Sequence, residues 1–201
     1  MAGGQDPARG RRARSLSIRV YLAGPDVFLP EPEAWAARKK AICAAHGLIG
    51  ISPLDDYPDE PPEWGAFPLW RRIALRNEAH IRGCHVVIAN LTPFRGLSAD
   101  VGTVYEIGFA RALGLKIFGY TTVSSPFLER TLAATGATQK NAAWWDADEL
   151  LVEEFGLFDN LMIEGGIHGS GGTLIAADAD DRWHDLAVFE QCVQAVAQPA
   201  P

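Results

Sequence analysis

Only three cysteines occur in the 201 residues, Cys43, Cys84 and Cys192, an odd number with no C-x-x-C spacing. That argues against a disulfide scaffold and a zinc finger, and it suits a reducing cytoplasm. The five histidines, His46, His80, His85, His168 and His184, contain no i, i+4 pair, so no metal is assigned. Basic residues are in the minority: 18 Lys and Arg stand against 25 Asp and Glu, a net charge of -7. No general grip on a nucleic-acid backbone is expected from such a surface. No apolar run approaches the roughly 18 residues of a membrane span. The opening "MAGGQDPARGRRARS" has no apolar segment after its arginines and fails as a signal peptide. It reads as a disordered basic tail over residues 1–16, with a nucleic-acid or targeting arm as the alternative. Internal repeats, a Walker motif and a G-x-G-x-x-G after the first strand are all missing, so no nucleotide cofactor is implied.

What is present is enough apolar material, 48% of the chain, to build one substantial core over residues 17–201. "SIRVYLAG" reads as a strand, and "EPEAWAARKKAICAAHG" as a helix closed at Gly47. "LIGIS" is a second strand, and the Pro- and acid-rich "PLDDYPDEPPEWGAFP" a long loop. "LWRRIALRNEAHIRGC" is helical, "HVVIANL" a near-continuous apolar strand, "VGTVYEIGFARALG" a helix ending at Gly114, and "LKIFGYT" a fourth strand. Such an alternation predicts an α/β fold with a parallel sheet covered on both faces. Beyond Thr121 the pattern weakens to helices in "SPFLERTLAATG" and "RWHDLAVFEQCVQAVA", with "DADD" expected to complement the dipole of the latter. "GGIHGSGG" reads as a flexible loop.

In an open parallel sheet, ligands bind beyond the carboxyl ends of the strands. That rim holds Gly24, Pro25, Asp26 and Phe28 after the first strand, Asp55 after the second, and Arg95 after the third. Three acids converge there. Glu106 shares a helical stripe with Phe109, Ala110 and Leu113, so it faces inward and must have a partner or a task. Placed in the first turn, it would be kept ionised by the helix dipole. The alternative is a capping box formed by Thr103 and Glu106. Glu78 repeats the inward pattern between Ala74 and Ile81, or else lies at the edge of the polar face. Asp100 is an N-cap or a second functional acid. Tyr21, ending the first strand, points its hydroxyl at the same rim. The aromatic rim residues Phe28, Trp64, Phe67 and Trp70 are candidates for stacking on a base.

Together "VYLAGPDVF", "PLD", "LRNEAHI", "NLTPFRG", "ADVGTVYEIGFA" and "FDNLMI" resemble the nucleoside 2-deoxyribosyltransferase family, over about Arg19 to Met162. The resemblance implies a flavodoxin-like doubly wound sheet, no cofactor, and transfer of 2-deoxyribose between nucleobases through a covalent sugar–carboxylate intermediate with retention. Its ligands would be deoxynucleosides and free nucleobases. On motif position Glu106 falls on the nucleophile and Tyr21 on the tyrosine that orients it. Asp100 falls on an acid contacting the substrate, and the neighbouring Gly102 belongs to the same motif. Glu78 stands where many members have Asp and would handle the proton on the leaving base. Asn160 falls on the residue donated across a dimer interface, which implies a dimer-based homo-oligomer. Two rival readings remain: an N-hydrolase of 2-deoxynucleoside 5′-monophosphates, and a nucleoside-binding sensor without turnover. The hydrolase needs phosphate donors at the mouth, where Asp26 would repel a phosphate and Arg95 would supply the missing charge.

Overall fold

The computed structural model of the protein describes residues 17–198, so the basic tail expected over residues 1–16 lies outside it. The expected strands form as β1 (Arg19–Ala23), β2 (Ile49–Ile51), β3 (Val86–Asn90) and β4 (Lys116–Thr121). Between them run α1 (Pro32–Ala45), α2 (Leu69–Arg82) and α3 (Val101–Ala112). Gly47 and Gly114 end α1 and α3 with φ of 75° and 76°, a left-handed turn that glycine makes without strain.

The second half holds more structure than its sequence pattern announces. After α4 (Phe127–Thr135) comes a small antiparallel sheet of β5 (Thr138–Lys140), β6 (Ala143–Trp145) and β7 (Leu151–Val152), then α5 (Leu161–Gly169), β8 (Leu174–Ala176) and α6 (Ala187–Ala197). "GGIHGSGG" is therefore no flexible loop. Its first half is the end of α5, and its second half turns the chain into β8. "DADD" does not begin α6 either: Asp178 binds Ser124, Asp181 binds the His184 ring, and the helix starts six residues later at Ala187.

The main sheet has the order β2-β1-β3-β4-β8 with every pair parallel, the flavodoxin-like doubly wound arrangement. Alternation along the strands decides the two layers. Tyr21, Ala23, Val87, Ala89 and Ile117 pack with Ile81 of α2, Ile107 and Ala110 of α3, and Ile163 and Ile167 of α5. Val20, Leu22, Ile88, Phe118 and Tyr120 pack on the other side with Cys43 of α1 and with Phe189 and Cys192 of α6. Since the chain leaves β1 for β2 and returns to β3 on the opposite side, a crevice opens beyond the carboxyl ends of β1 and β3. Among the described residues no helix is long and apolar enough to cross a membrane.

Candidate active site

Glu106 lies under this crevice. Its helix is capped by Asp100, whose Oδ2 accepts from the Thr103 amide (2.9 Å) and hydroxyl (3.1 Å). Thr103 is thus inside the helix, and the capping box that would have made Glu106 a local structural residue does not form. Glu106 instead sits in the second turn, on the buried stripe of Thr103, Ile107 and Ala110, with 8% of its surface exposed. The Tyr21 hydroxyl donates to its Oε1 at 2.6 Å, and the Asn77 amide donates to the same oxygen at 3.4 Å. Among the described residues no donor reaches Oε2. One oxygen is held, and the other is neither hydrogen-bonded nor fully buried.

Position in the second turn removes most of the dipole support expected for a first-turn acid. Burial dominates, and with the nearby Asp100 charge it pushes the Glu106 carboxyl up to about 7; the hydrogen bonds from Tyr21 and Asn77 oppose the rise without cancelling it. Tyr21 moves further. Buried at the middle of β1 rather than at its end, and facing Glu106, its hydroxyl is held far above the ordinary tyrosine range, so it serves only as a donor.

The loops around the crevice are fixed by buried polar contacts. Asp159, fully buried, accepts from the Ser98 hydroxyl and, at 2.8 Å, from the Ala99 amide, which ties the entry to α3 to the start of α5. After β1, a side chain on Gly24 would stand 2.5 Å from Asp26 Oδ2 and 2.8 Å from Asn90 Cβ, so only glycine lets the loop approach β3 this closely. Buried Pro25 starts the single 3-10 turn that follows. Asp26 then pairs with buried Lys39 at 2.7 Å, and Lys39 also donates to Tyr120 at 2.7 Å.

Residues 20–162 match the nucleoside 2-deoxyribosyltransferase family. The chain belongs to that family. A Schizosaccharomyces pombe relative, the uncharacterized protein C191.05c, is 31% identical over 171 residues, covering 79% of this chain and 81% of that one. Among solved structures, the 2-desoxiribosyltransferase from Leishmania mexicana is 29% identical, with a TM-score of 0.59 over 88% of this chain and 97% of that one. A conserved protein from Enterococcus faecalis, 18% identical, shares the fold at a TM-score of 0.53 over 90% of this chain and 99% of its own.

Of the residues carried over from the deoxyribosyltransferase motifs, the structure brings Tyr21 and Glu106 into contact and places Asp100 one and a half turns before Glu106. It separates the others. Glu78 does not face Glu106: its Oε1 accepts from the Tyr105 hydroxyl at 2.6 Å on the solvent side of the seam between α2 and α3. The residue of α2 that meets Glu106 is Asn77, whose Oδ1 is buried without a hydrogen-bond partner among the described residues. Sequence reasoning passed over it, although Asn77 lies four positions before buried Ile81 and so shares its stripe. Asp55 is engaged in structure, binding Lys40 at 2.7 Å and the Ser52 amide at 3.1 Å. Trp70 is 71% exposed and packs on no other ring among the described residues. Trp64 stacks on Tyr57, and Phe67 lies under the Arg71 guanidinium. Phe28 stacks on Phe94, with the Arg95 guanidinium over both rings. Gly102 leaves 3.0 Å between its absent side chain and Asp100 Oδ2, room that a larger residue would contest.

Asn160 caps α5, accepting from the Met162 amide at 3.0 Å and donating to Glu153. It lines an apolar groove of about 720 Å³ between α3 and α5, whose walls include Val101, 84% exposed, and Met162, 74% exposed. This groove runs along the face of α3 that carries Val101, Val104 and Gly108, beside the stripe that holds Glu106.

Proposed function

We propose that the protein transfers 2-deoxyribose between nucleobases, with Glu106 as the temporary carrier of the sugar. The observation that carries this reading is the asymmetry of the Glu106 carboxylate: both protein donors converge on Oε1, and Oε2 is left to attack. Membership of the family and the likeness to the Leishmania mexicana 2-desoxiribosyltransferase support it.

In the first displacement Oε2 bonds to the anomeric carbon as the C–N bond breaks, and the base departs with the bonding pair and takes up a proton from solvent. In the second, a ring nitrogen of the incoming base bonds to that carbon, its proton passes to solvent, and the carboxylate leaves with the C–O bonding pair. Two inversions give net retention. Positive charge that builds on the sugar is stabilised by the fixed carboxylate, which burial has stripped of competing water. Tyr21 holds the carboxylate in line through a hydroxyl that does not ionise. Asn77 holds Oε1 from the α2 side through its amide N–H. An amide transfers no proton, so Glu78 can assist base departure only by leaving the Tyr105 hydroxyl. Neither a metal nor a cofactor enters these steps.

The groove between α3 and α5 is apolar enough to pair with a second copy of the chain, and such pairing would carry Asn160 to the neighbouring site. The test of activity is incubation with deoxyinosine and free adenine, following deoxyadenosine and free deoxyribose. Deoxyadenosine is the expected product. Deoxyribose alone would mean a hydrolase, and binding without either product would mean a sensor.

A further inference from the structure

Behind the crevice, a row of largely buried polar side chains joins the carboxyl ends of β1, β3 and β4. Lys39 of α1, 4% exposed, donates to Asp26 Oδ2 in the loop after β1 and to the Tyr120 hydroxyl near the end of β4, each at 2.7 Å. The Asn90 amide at the end of β3 donates to Asp26 Oδ1 at 3.4 Å, and Asn90 Oδ1 accepts from the Thr92 amide at 3.0 Å. Thr92 and Thr122, just past β3 and β4, meet hydroxyl to hydroxyl at 3.0 Å. Lys39 is the cation of this row, and its ammonium also lies 5.1 Å from the Phe189 ring centroid and 5.3 Å from that of Tyr120.

Stability alone does not account for a lysine enclosed in this way. Taking an ammonium and a carboxylate out of water costs about as much as their attraction contributes, so two apolar side chains of similar volume would hold the core as well. Tyr120 gives Lys39 no second counter-charge, because burial, together with the Asp26 charge, raises its hydroxyl well above the ordinary tyrosine range and keeps it protonated. What the pair does fix is position. Asp26 lies in the 3-10 turn of Pro25–Phe28, and that turn carries Phe28 onto Phe94 of the loop after β3, with ring centroids 5.3 Å apart. The two sides of the crevice thus meet twice, at Asp26 with Asn90 and at Phe28 with Phe94.

We propose that Lys39 is a positioning residue for the crevice: through Asp26 it fixes the loop after β1 against the end of β3, and so sets the width of the opening above Glu106. The ion pair serves placement rather than stability. Lys39 itself reaches no ligand, since Asp26, Tyr120 and Phe189 enclose its ammonium. Tyr21 packs in the layer on the other side of the sheet, with α3 and therefore Glu106. The loop therefore governs how well a nucleoside is held more than how fast the carboxylate reacts. The kinetic form of the claim rests on the deoxyribosyltransferase reading. Amide exchange does not, and it keeps failure of the one apart from failure of the other.

The test compares Lys39→Met, Asp26→Asn and the double variant. Hydrogen–deuterium exchange over residues 24–29 and 90–95 should quicken about tenfold or more in all three, with α3 unchanged. In transfer from deoxyinosine to adenine, KM for deoxyinosine should rise about tenfold while kcat stays within about threefold and the acid limb set by Glu106 does not move. Each single variant leaves one charge buried alone and should lower Tm; the double variant should regain Tm while KM stays high, so it decides the matter where a single variant folds poorly. Its rise in KM should match that of either single variant rather than their product, because the two residues act as a unit. Unchanged loop exchange in the double variant would overturn the proposal, whatever the activity of the wild type. So would a double variant with normal KM, or single variants whose kcat falls in step with Tm at an unaltered KM.

Discussion

Two pairs of carboxylate and phenol lie side by side on the seam between α2 and α3. On the sheet side Tyr21 donates to Glu106 at 2.6 Å; on the solvent side Tyr105 donates to Glu78 at the same 2.6 Å. The chemistry of the partners is identical, and the surroundings are not. Glu106 is buried, and loss of hydration lifts its carboxyl to about 7. In the outer pair the main effect is on the phenol: its hydrogen bond to Glu78 raises the Tyr105 hydroxyl, while water remains available to both groups. Pairing alone therefore does not make a nucleophile. In the proposed mechanism, what separates the reactive acid from a surface contact is burial of the carboxylate with one oxygen held by Tyr21 and the other left without a partner.

The comparison can be broken most sharply at Glu106. Glu106→Ala should lower transfer by about three orders of magnitude or more while the circular dichroism spectrum is retained. Tyr21→Phe removes the orienting donor and should cost roughly ten- to a hundredfold in kcat. The pH profile of kcat/KM tests the same contrast. In the proposed mechanism Glu106 attacks only when ionised, so activity should fall about tenfold per pH unit below about 7. In Tyr21→Phe that limb should move to higher pH, because the lost hydrogen bond had favoured the charged form. Glu78→Gln should cost less than about tenfold and leave the acid limb in place. A loss as large as that of Glu106→Ala would mean that Glu78 leaves Tyr105 during turnover and acts on the base.

A stability measurement gives the smallest effect. Because the Glu106 carboxyl is raised in the folded protein, its protonated form stabilises the fold below the unfolded carboxylate pKa near 4.5, and that contribution is lost as pH rises through about 7. Glu106→Gln should therefore raise Tm by a few degrees at pH 8 and leave it nearly unchanged at pH 4. Equal shifts at the two pH values would argue against an ionisable group in a desolvated site.

The first four strands and their helices are legible because each strand is an apolar run bounded by turn residues. β8 is not: "LIA" is three residues long and stands after "GSGGT". Glycines at 165, 166 and 169 likewise disguise α5, whose buried Ile163, Glu164 and Ile167 hold it by tertiary packing rather than helix propensity. The small sheet shows no apolar run bounded by turn residues: β5 is the polar "TQK", and the short β6 and β7 flank the acidic "DADE". At the site, Glu106 is legible because its inward stripe is apolar. The same argument fails for Glu78, since adjacent residues on a helix point about 100° apart and the stripe there belongs to Asn77 and Ile81. Asp159 stands inside the quoted "FDNLMI" motif, yet its bond to the Ala99 amide links residues 60 apart, and nothing local announces it.

The most direct test of the central claim is mass spectrometry of the protein after reaction with a slow 2-fluorinated nucleoside. The account predicts a stoichiometric sugar adduct mapped to Glu106, formed as free base is released and removed when a second base is added. An adduct mapped to another residue, or base release with the protein mass unchanged throughout, would contradict it.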